Sequence, residues 1–483
     1  MSKRPGDDEK EVAPLKGGDR PEAMDVDDKD MGEFADEFED EFESEDEIIE
    51  AGVDGRPDAE REAEEKQDSM NVDKDTFIVG RHKLEPGQIL SPDPSTYEML
   101  HSLSTPWPCL SFDIVPDHLG ADRKVYPATM YMVAGTQAES SRSRENQLLV
   151  TKLSGLSRME REDDESDDDD EDDEDADPII ESKSIPLNTT TNRVRTWQPE
   201  APTTSITTTL SATMTESSDV YIHDVTPHLA SFDNPGTVIS PLQNQPQYTV
   251  RAHRSEGYAI DWSRTAEPRL LTGDNDGLIY LTTAAQGSFA TDAKPFKGHN
   301  SSVEEIQWSP SENSVFASSS SDGTVRVWDI RSKSRKPAIT VQASGTDVNV
   351  MSWSRQTTHL LASGADDGVW AVWDLRHWKG SNKPTPLASF DYHKEQISSL
   401  EWHPTDDSIM AVASGDNTVT LWDLAVELDD EESKDTGGVS GIPPQLLFVH
   451  YHNEVREVHW HPQILGSLVA TGEQFSVFRT ISV

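Results

Sequence analysis

The stretch FASSSSDGTVRVWDI, residues 316–330, decides the fold, because two other segments repeat its layout. They are LASGADDGVWAVWDL (361–375) and AVASGDNTVTLWDL (411–424). In each, an aspartate precedes a tryptophan by six residues and a second aspartate follows it: Asp322/Trp328, Asp367/Trp373 and Asp416/Trp422. The three tryptophans are 45 and 49 residues apart. Another tryptophan comes earlier in each unit, as Trp308-Ser-Pro, Trp353-Ser-Arg and Trp402-His-Pro, and Trp262-Ser-Arg and Trp460-His-Pro extend the series. Gly298-His299, Tyr392-His393 and Tyr451-His452 stand at one further fixed place. A period in this range marks a repeat architecture in which each unit is one small sheet.

This layout resembles the WD repeat from about residue 190 to 483. A loop histidine, a turn aspartate and a strand tryptophan can form one buried hydrogen-bonded chain through a strand Ser or Thr, which satisfies polar groups inside a sheet. His299, Asp322 and Trp328 make one such set and His393, Asp416 and Trp422 another, with Asp367 and Trp373 in the third unit. These residues are expected to be structural, with no catalytic or metal role. Strand groups beginning near Thr129, Val194, Tyr258, Val303, Val348, Ile397 and Val455 count seven blades. The second is degenerate, with Ser218–Asp224 in place of the WD strand. The last ends at Phe475–Arg479 with no room for a fourth strand. An open ring would leave unpaired edges, so Leu110–Val115 is expected to supply the missing strand. The expected fold is an all-β, seven-bladed WD-repeat β-propeller over 109–483. Ahead of it, 77–108 should hold a short helix, with Asp93 as N-cap, Pro94 in the first turn and Pro106 and Pro108 ending it. Residues 1–76 and an acidic loop at 160–181 in the first blade should be disordered.

The formal charge is -49, and it is concentrated. Residues 1–76 carry 30 acids and 10 bases, and residues 160–181 carry 16 acids and one base, so these two segments hold -35 of it. Such tracts repel phosphate backbones and favour a basic protein partner, with no direct nucleic acid. In 33–49, Phe34, Phe38 and Phe42 recur every four residues, which on a helix would form one apolar stripe on an acidic cylinder. Ser44 and Ser166 sit within acidic runs that suit acidophilic kinases. The single cysteine, Cys109, permits neither an internal disulfide nor a cysteine-based zinc site. No apolar leader and no run of eighteen apolar residues is present, so neither standard secretion nor a membrane span is expected.

No phosphate-binding glycine loop, nucleophile elbow or HExxH helix occurs, so no enzyme and no cofactor is expected. His459 and His461 could offer two ligands, but His461 and His403 share one slot before the turn proline, which points to a role in the repeat. Trp328-Asp-Ile-Arg331 and Trp373-Asp-Leu-Arg376 match a pattern that in some propellers accompanies docking to a cullin-type ubiquitin ligase adaptor. Residues flanking the start of each inner strand should line one rim of the channel: Glu256, Tyr258, Glu304, Asp347, Asn349, Glu454 and Arg456. With the loop acids Asp167, Asp168, Asp169, Asp170 and Glu171, they are the expected partner-binding residues.

Pro108–Val115, the segment before it and the acidic insertion in the first blade make the chain similar to the glutamate-rich WD-repeat proteins from about residue 77 onward. That family is related to histone-binding propellers of the retinoblastoma-binding type. Its fungal members resemble dedicated nucleolar chaperones of the ribosomal protein uL3. The resemblance implies a monomeric ribosome biogenesis factor that holds uL3 and visits pre-60S particles in the nucleus and nucleolus, with a cytoplasmic pool. The alternatives are a histone chaperone or chromatin factor and a ubiquitin-ligase substrate receptor. Arg331–Lys336 is a weak basic cluster that could serve nuclear entry.

Overall fold

A computed structural model describes residues 92–159, 177–199, 208–265, 267–378, 384–426 and 442–482. All belong to one compact unit, Leu84–Val483. The described residues form seven antiparallel sheets, so the chain is a seven-bladed propeller. Blade 1 comprises Cys109–Val115, Ala128–Thr136, Gln147–Leu156 and Ile179–Pro186. Blades 2 to 6 begin with Thr191–Thr196, Ala259–Trp262, Val303–Trp308, Val348–Trp353 and Ile397–Trp402. Blade 7 is built on Glu457–Trp460, Ser467–Thr471 and Phe475–Thr480. The first strand of each blade touches the first strand of the next, and blade 7 touches blade 1, so these strands line the central channel.

Ring closure differs from the sequence-based expectation. The closing strand is Tyr97–Leu103, which pairs antiparallel with Phe475–Thr480 from Tyr97↔Thr480 to Leu103↔Phe475. Cys109–Val115 is instead the inner strand of blade 1, and Thr129 lies in that blade's second strand. The expected helix shrinks to one 3-10 turn, Pro94–Thr96, which Asp93 does cap by accepting the Ser95 N–H at 3.0 Å. The free edge of Phe475–Thr480 needs a partner, and that demand outweighs the helix-forming tendency of Glu98, Met99 and Leu100. The acidic loop expected over 160–181 ends earlier, because Ile179, Ile180 and Glu181 already pair with Ser154, Leu153 and Lys152 in the fourth strand of blade 1. Residues 160–176, with the acids 167–171 and Ser166, and residues 1–76, with Ser44 and the phenylalanine stripe, lie outside the described residues.

The core is distributed between blades rather than gathered at a centre. Seven apolar clusters occur among the described residues, each spanning two adjacent blades; one joins Ala259 and Leu271 of blade 3 to Val303, Ile306 and Trp328 of blade 4. A sheet covered on both faces needs near-continuous apolar strands. Ile409–Ser414 (IMAVAS) is accordingly buried at every position. At the Asp322 hairpin Gly323 takes φ +75°, and an added Cβ would stand 2.8 Å from the Ser344 carbonyl, so only glycine fits there.

Candidate functional site

The repeat motif builds rigidity. His299 Nδ1 meets Asp322 at 3.1 Å, its Nε2 meets Ser318 Oγ at 2.7 Å, and Trp328 donates to the same Oγ at 2.8 Å. His393, Asp416, Thr420 and Trp422 repeat the chain with contacts of 2.9, 3.0 and 2.7 Å. The third unit is incomplete. Trp373 donates to Ser363 Oγ at 2.8 Å, but Asp367 is exposed and only caps its own turn, because no histidine faces it. A further chain went unread in the sequence: His253 meets Asp274 at 2.8 Å and Thr272 at 2.7 Å. Its signal is Tyr280, six residues after Asp274, at the tryptophan position.

Four of the five tryptophans in the earlier series staple neighbouring blades, while Trp353 donates to the Thr358 carbonyl of its own blade at 2.7 Å. Trp262, Trp308, Trp402 and Trp460 donate from Nε1 to the backbone carbonyls of Arg195, Asp261, Ser352 and Glu401 in the preceding blade, at 3.1, 3.3, 3.0 and 3.2 Å. Carboxylates and an amide stitch the other way. Asp113, Asp261, Gln307 and Glu401 accept the N–H of Thr196, Trp308, Trp353 and Trp460 in the following blade. The same ring lines a polar cavity of about 140 Å³, with Asp113, Asp261, Gln307 and Glu401 joined by Arg195 and His459, among others.

A buried charge network fills the channel and was not foreseen in the sequence. Glu457 pairs with Arg193 at 2.9 Å and Arg195 at 2.8 Å, and Arg193 also reaches Glu305 at 3.3 Å. His459 pairs with Glu401 at 2.9 Å and Glu457 at 3.5 Å. Burial disfavours the His459 imidazolium, but Glu401 and Glu457 outweigh it and push its pKa up to about 10. Burial raises the Asp261 carboxyl to about 7, against the Trp308 N–H that lowers it. No group of three or more His, Cys, Asp or Glu side chains among the described residues could hold a metal. His461 Nδ1 accepts the N–H of Gln463 and Ile464, both at 3.0 Å, and His403 Nδ1 accepts that of Asp406 at 3.1 Å. The shared slot is therefore a turn cap.

The expected rim residues stand at the face where the inner strands begin, here the upper face. Burial raises the Tyr258 phenol, and Glu256, Glu304 and Glu216 add to the effect. Burial likewise raises the Glu304 carboxyl, with Asp347 contributing, while Ser302 and Arg193 oppose. Glu216, Glu256 and Glu304 thus lie near enough to Tyr258 to act on its phenol, and Asp347 lies near enough to act on Glu304. Asn192 holds Glu256 at 3.1 Å. Asn349 reaches the Ile397 carbonyl at 3.4 Å and Asp366 at 3.5 Å. Glu454 and Arg456, on blade 7, pair with each other at 3.5 Å. The acidic insertion joins blade 1 at the opposite, lower face, where Leu153 and Ser154 pair with Ile180 and Ile179. Its N-terminal root is fixed to the closing strand: Met159 N–H donates to the Glu98 carbonyl at 2.9 Å, and His101 meets the Ser157 carbonyl at 2.9 Å. Arg331 and Arg376 are exposed and clasp Asp329 and Asp374 in two-pronged pairs.

Fold and geometry define a WD-repeat propeller with a rigid, charge-filled channel and an acidic upper rim. Two family models match parts of the chain: that of the histone-binding protein RBBP4 and its counterpart in the CAF1 complex over residues 87–157, and that of the nucleolar protein 10-like N-terminal domain over residues 246–432. The chain is 46% identical to ribosome assembly protein rrb1 of Schizosaccharomyces pombe, across 100% of both chains. It is 42% identical to protein HEAT STRESS TOLERANT DWD 1 of Arabidopsis thaliana, covering 84% of this chain and 91% of that one. It is 40% identical to glutamate-rich WD repeat-containing protein 1 of Dictyostelium discoideum, covering 84% and 85%. The chain belongs to the glutamate-rich WD-repeat family that includes rrb1.

Proposed function

We propose that this protein is a ribosome-assembly factor that acts as an acidic chaperone. It binds newly made ribosomal protein uL3 and delivers it to early pre-60S particles in the nucleus and nucleolus. The observation that carries this reading is the full-length likeness to ribosome assembly protein rrb1, in a chain of net charge -49. A ribosomal protein awaiting its RNA exposes basic extensions. The acidic runs, Asp167–Glu171 among them, occupy those extensions through many weak contacts that exchange readily and are screened by salt. Tyr258, Glu256, Glu304 and Asp347, with Asn349, Glu454 and Arg456, add a fixed surface against which one client fits better than another. Nascent ribosomal RNA then displaces the acids.

The test is co-purification of the tagged full-length protein from cells at moderate and at high salt, read by mass spectrometry. Recovery of uL3 as the dominant, near-stoichiometric partner supports the reading. A second reading, histone binding, is favoured by the family-model match over residues 87–157. Recovery of histones with uL3 absent would establish it instead.

A further inference from the structure

We propose that Ser240 is a phosphorylation site for a proline-directed serine/threonine kinase. The residue lies in the connection between the third and fourth strands of blade 2, Val220–Asp224 and Tyr248–Val250. Third strands run from the upper face to the lower, so this connection stands on the lower face, opposite the rim. Its base is fixed. The helix Thr226–Asp233 buries Phe232, whose ring lies 6.1 Å from that of Tyr131 in blade 1, and His228 Nε2 meets Asn244 Oδ1 at 2.9 Å across the loop. The tip beyond that base is Thr237-Val238-Ile239-Ser240-Pro241-Leu242.

Six serine or threonine residues precede a proline in the sequence: Ser91, Thr105, Thr226, Ser240, Ser309 and Thr385. Ser91 lies outside the described residues. Three others are engaged or covered: Thr105 Oγ1 donates to the Trp107 carbonyl at 2.7 Å, Thr226 Oγ1 accepts the Thr209 N–H at 2.7 Å, and Ser309 is buried. Thr385 is exposed, but Pro386 after it is half-buried and the Leu387 N–H is tied to the Val372 carbonyl at 2.7 Å. Among the described residues, only Ser240 combines an exposed hydroxyl with an exposed proline after it.

The chain around Ser240 has the form that a kinase cleft accepts. Thr237 to Ser240 belong to no helix, strand or turn. Val238 and Ile239 have no backbone hydrogen bond among the described residues, so their N–H and carbonyl groups are open to an enzyme. The residue before a proline is held extended. A turn follows at once, with the Gln243 N–H on the Ser240 carbonyl at 3.0 Å and the Ser240 N–H on Gln243 Oε1 at 2.9 Å. Val238 is 87% and Leu242 81% exposed, so the approach is clear on both sides.

Composition selects the kinase class. Residues 234–250 carry no Asp, Glu, Lys or Arg, in a chain that is 27% charged. The acidic determinants around Ser44 and Ser166 are missing here, and so are basic ones, which leaves Pro241 as the specifying neighbour. Proline has no N–H, so an enzyme pocket that offers the following residue no acceptor admits proline without leaving a donor unpaired. In the reaction Ser240 Oγ attacks the γ-phosphorus of ATP, the bond to the departing ADP breaks, and the hydroxyl proton passes to the kinase's catalytic aspartate. The product sets a charge of about -1.5 to -2 between two exposed apolar side chains. An uncharged patch of the lower face thereby becomes anionic, and a partner that buries Val238 and Leu242 is released.

The experiment treats the full-length protein with ATP and either a recombinant mitogen-activated protein kinase, which is proline-directed, or an acidophilic casein kinase, and maps phosphate by mass spectrometry. The first enzyme is expected to modify Ser240 and the second to leave it bare. Pro241→Ala should slow modification of Ser240 by roughly tenfold or more, the cost of one unpaired N–H. Ser240→Thr, which keeps the hydroxyl and the proline, should still be modified. Both variants alter an exposed loop and should keep the wild-type urea midpoint. Modification of Ser240 only after the chain is unfolded in urea, an unchanged rate in Pro241→Ala, or equal modification by the acidophilic enzyme overturns the proposal. In tagged protein purified from growing cells under phosphatase inhibitors, phosphate on Ser240 is expected, and recovery of its peptide only in unmodified form overturns the proposal too. Co-purification with uL3 is unchanged in both variants, so this proposal and the client reading fail separately.

Discussion

Replacing Glu457 with Gln tests whether the channel network holds the ring closed. The residue comes from blade 7 and is 2% exposed. One carboxylate oxygen accepts the Phe112 N–H of blade 1 at 2.9 Å, and the other binds Arg193 and Arg195 of blade 2 at 2.9 and 2.8 Å. Burial alone would raise its carboxyl, yet Arg195, Arg193 and His459 hold it well below the usual carboxylate range. Without that charge Arg193 keeps only Glu305, at 3.3 Å, and Arg195 falls back on the Val194 and Phe112 carbonyls. Breaking one side of a buried ion pair costs about 3–5 kcal/mol, mostly from the partner left uncompensated. Urea unfolding followed by tryptophan fluorescence should show a loss of that size with an unchanged slope. Arg195→Met should be similarly harmful, and the double variant clearly less harmful than the sum of the two. A loss below about 1 kcal/mol for Glu457→Gln, or strict additivity with Arg195→Met, would refute the reasoning.

The same network sets a pH dependence. His459 binds its proton up to about pH 10 when folded but only to 6.5 when unfolded, so its contribution is complete below 6.5 and is lost as pH rises toward 10. The urea midpoint should fall over that range, and less so in His459→Gln. On the acid side, burial lowers His450 and His461 to about 3, so the unfolded chain takes up protons first and stability declines below pH 6.5. Asp322→Asn breaks a buried histidine chain and should cost about 1–3 kcal/mol, whereas Asp367→Asn, at an exposed turn, should stay within about 0.5 kcal/mol in the same titration. Burial pushes the Cys109 thiol up to about 12, so maleimide labelling of the native protein should proceed no faster than unfolding. Charge reversal at Glu256 and Glu304 should weaken uL3 binding and flatten its salt dependence with the urea midpoint kept; unchanged binding would remove the rim from the client surface.

The sequence made the blade count legible because Trp328, Trp373 and Trp422 mark units directly, and local turn chemistry fixes Asp322 and Asp416 near their histidines. Closure was misread for a tertiary reason. Asp93-Pro94 is a true helix-start signal, but it caps only one turn, and a register irregularity between Tyr97 and Met99 blurs the alternation that would have betrayed a strand. The rim positions followed from where the inner strands begin, so their shared face could be read in advance. The channel network could not, because Arg193 and Glu457 are 264 residues apart and meet only when blade 7 closes against blades 1 and 2. His253 was hidden because Tyr280 replaces the tryptophan that advertises the other chains.

Pairing Tyr97–Leu103 with Phe475–Thr480 imposes a timetable on synthesis. Among the described strands, the closing strand is the first to leave the ribosome and its partner the last. At about 5–20 residues per second the interval is roughly 20–70 s. Throughout it, Met99 and Leu103 lack the Phe475 and Val477 side chains that cover them in the finished ring. A nascent chain halted anywhere before residue 475 can stack blades but cannot close the ring, so a closed propeller certifies that synthesis has passed the last blade strand.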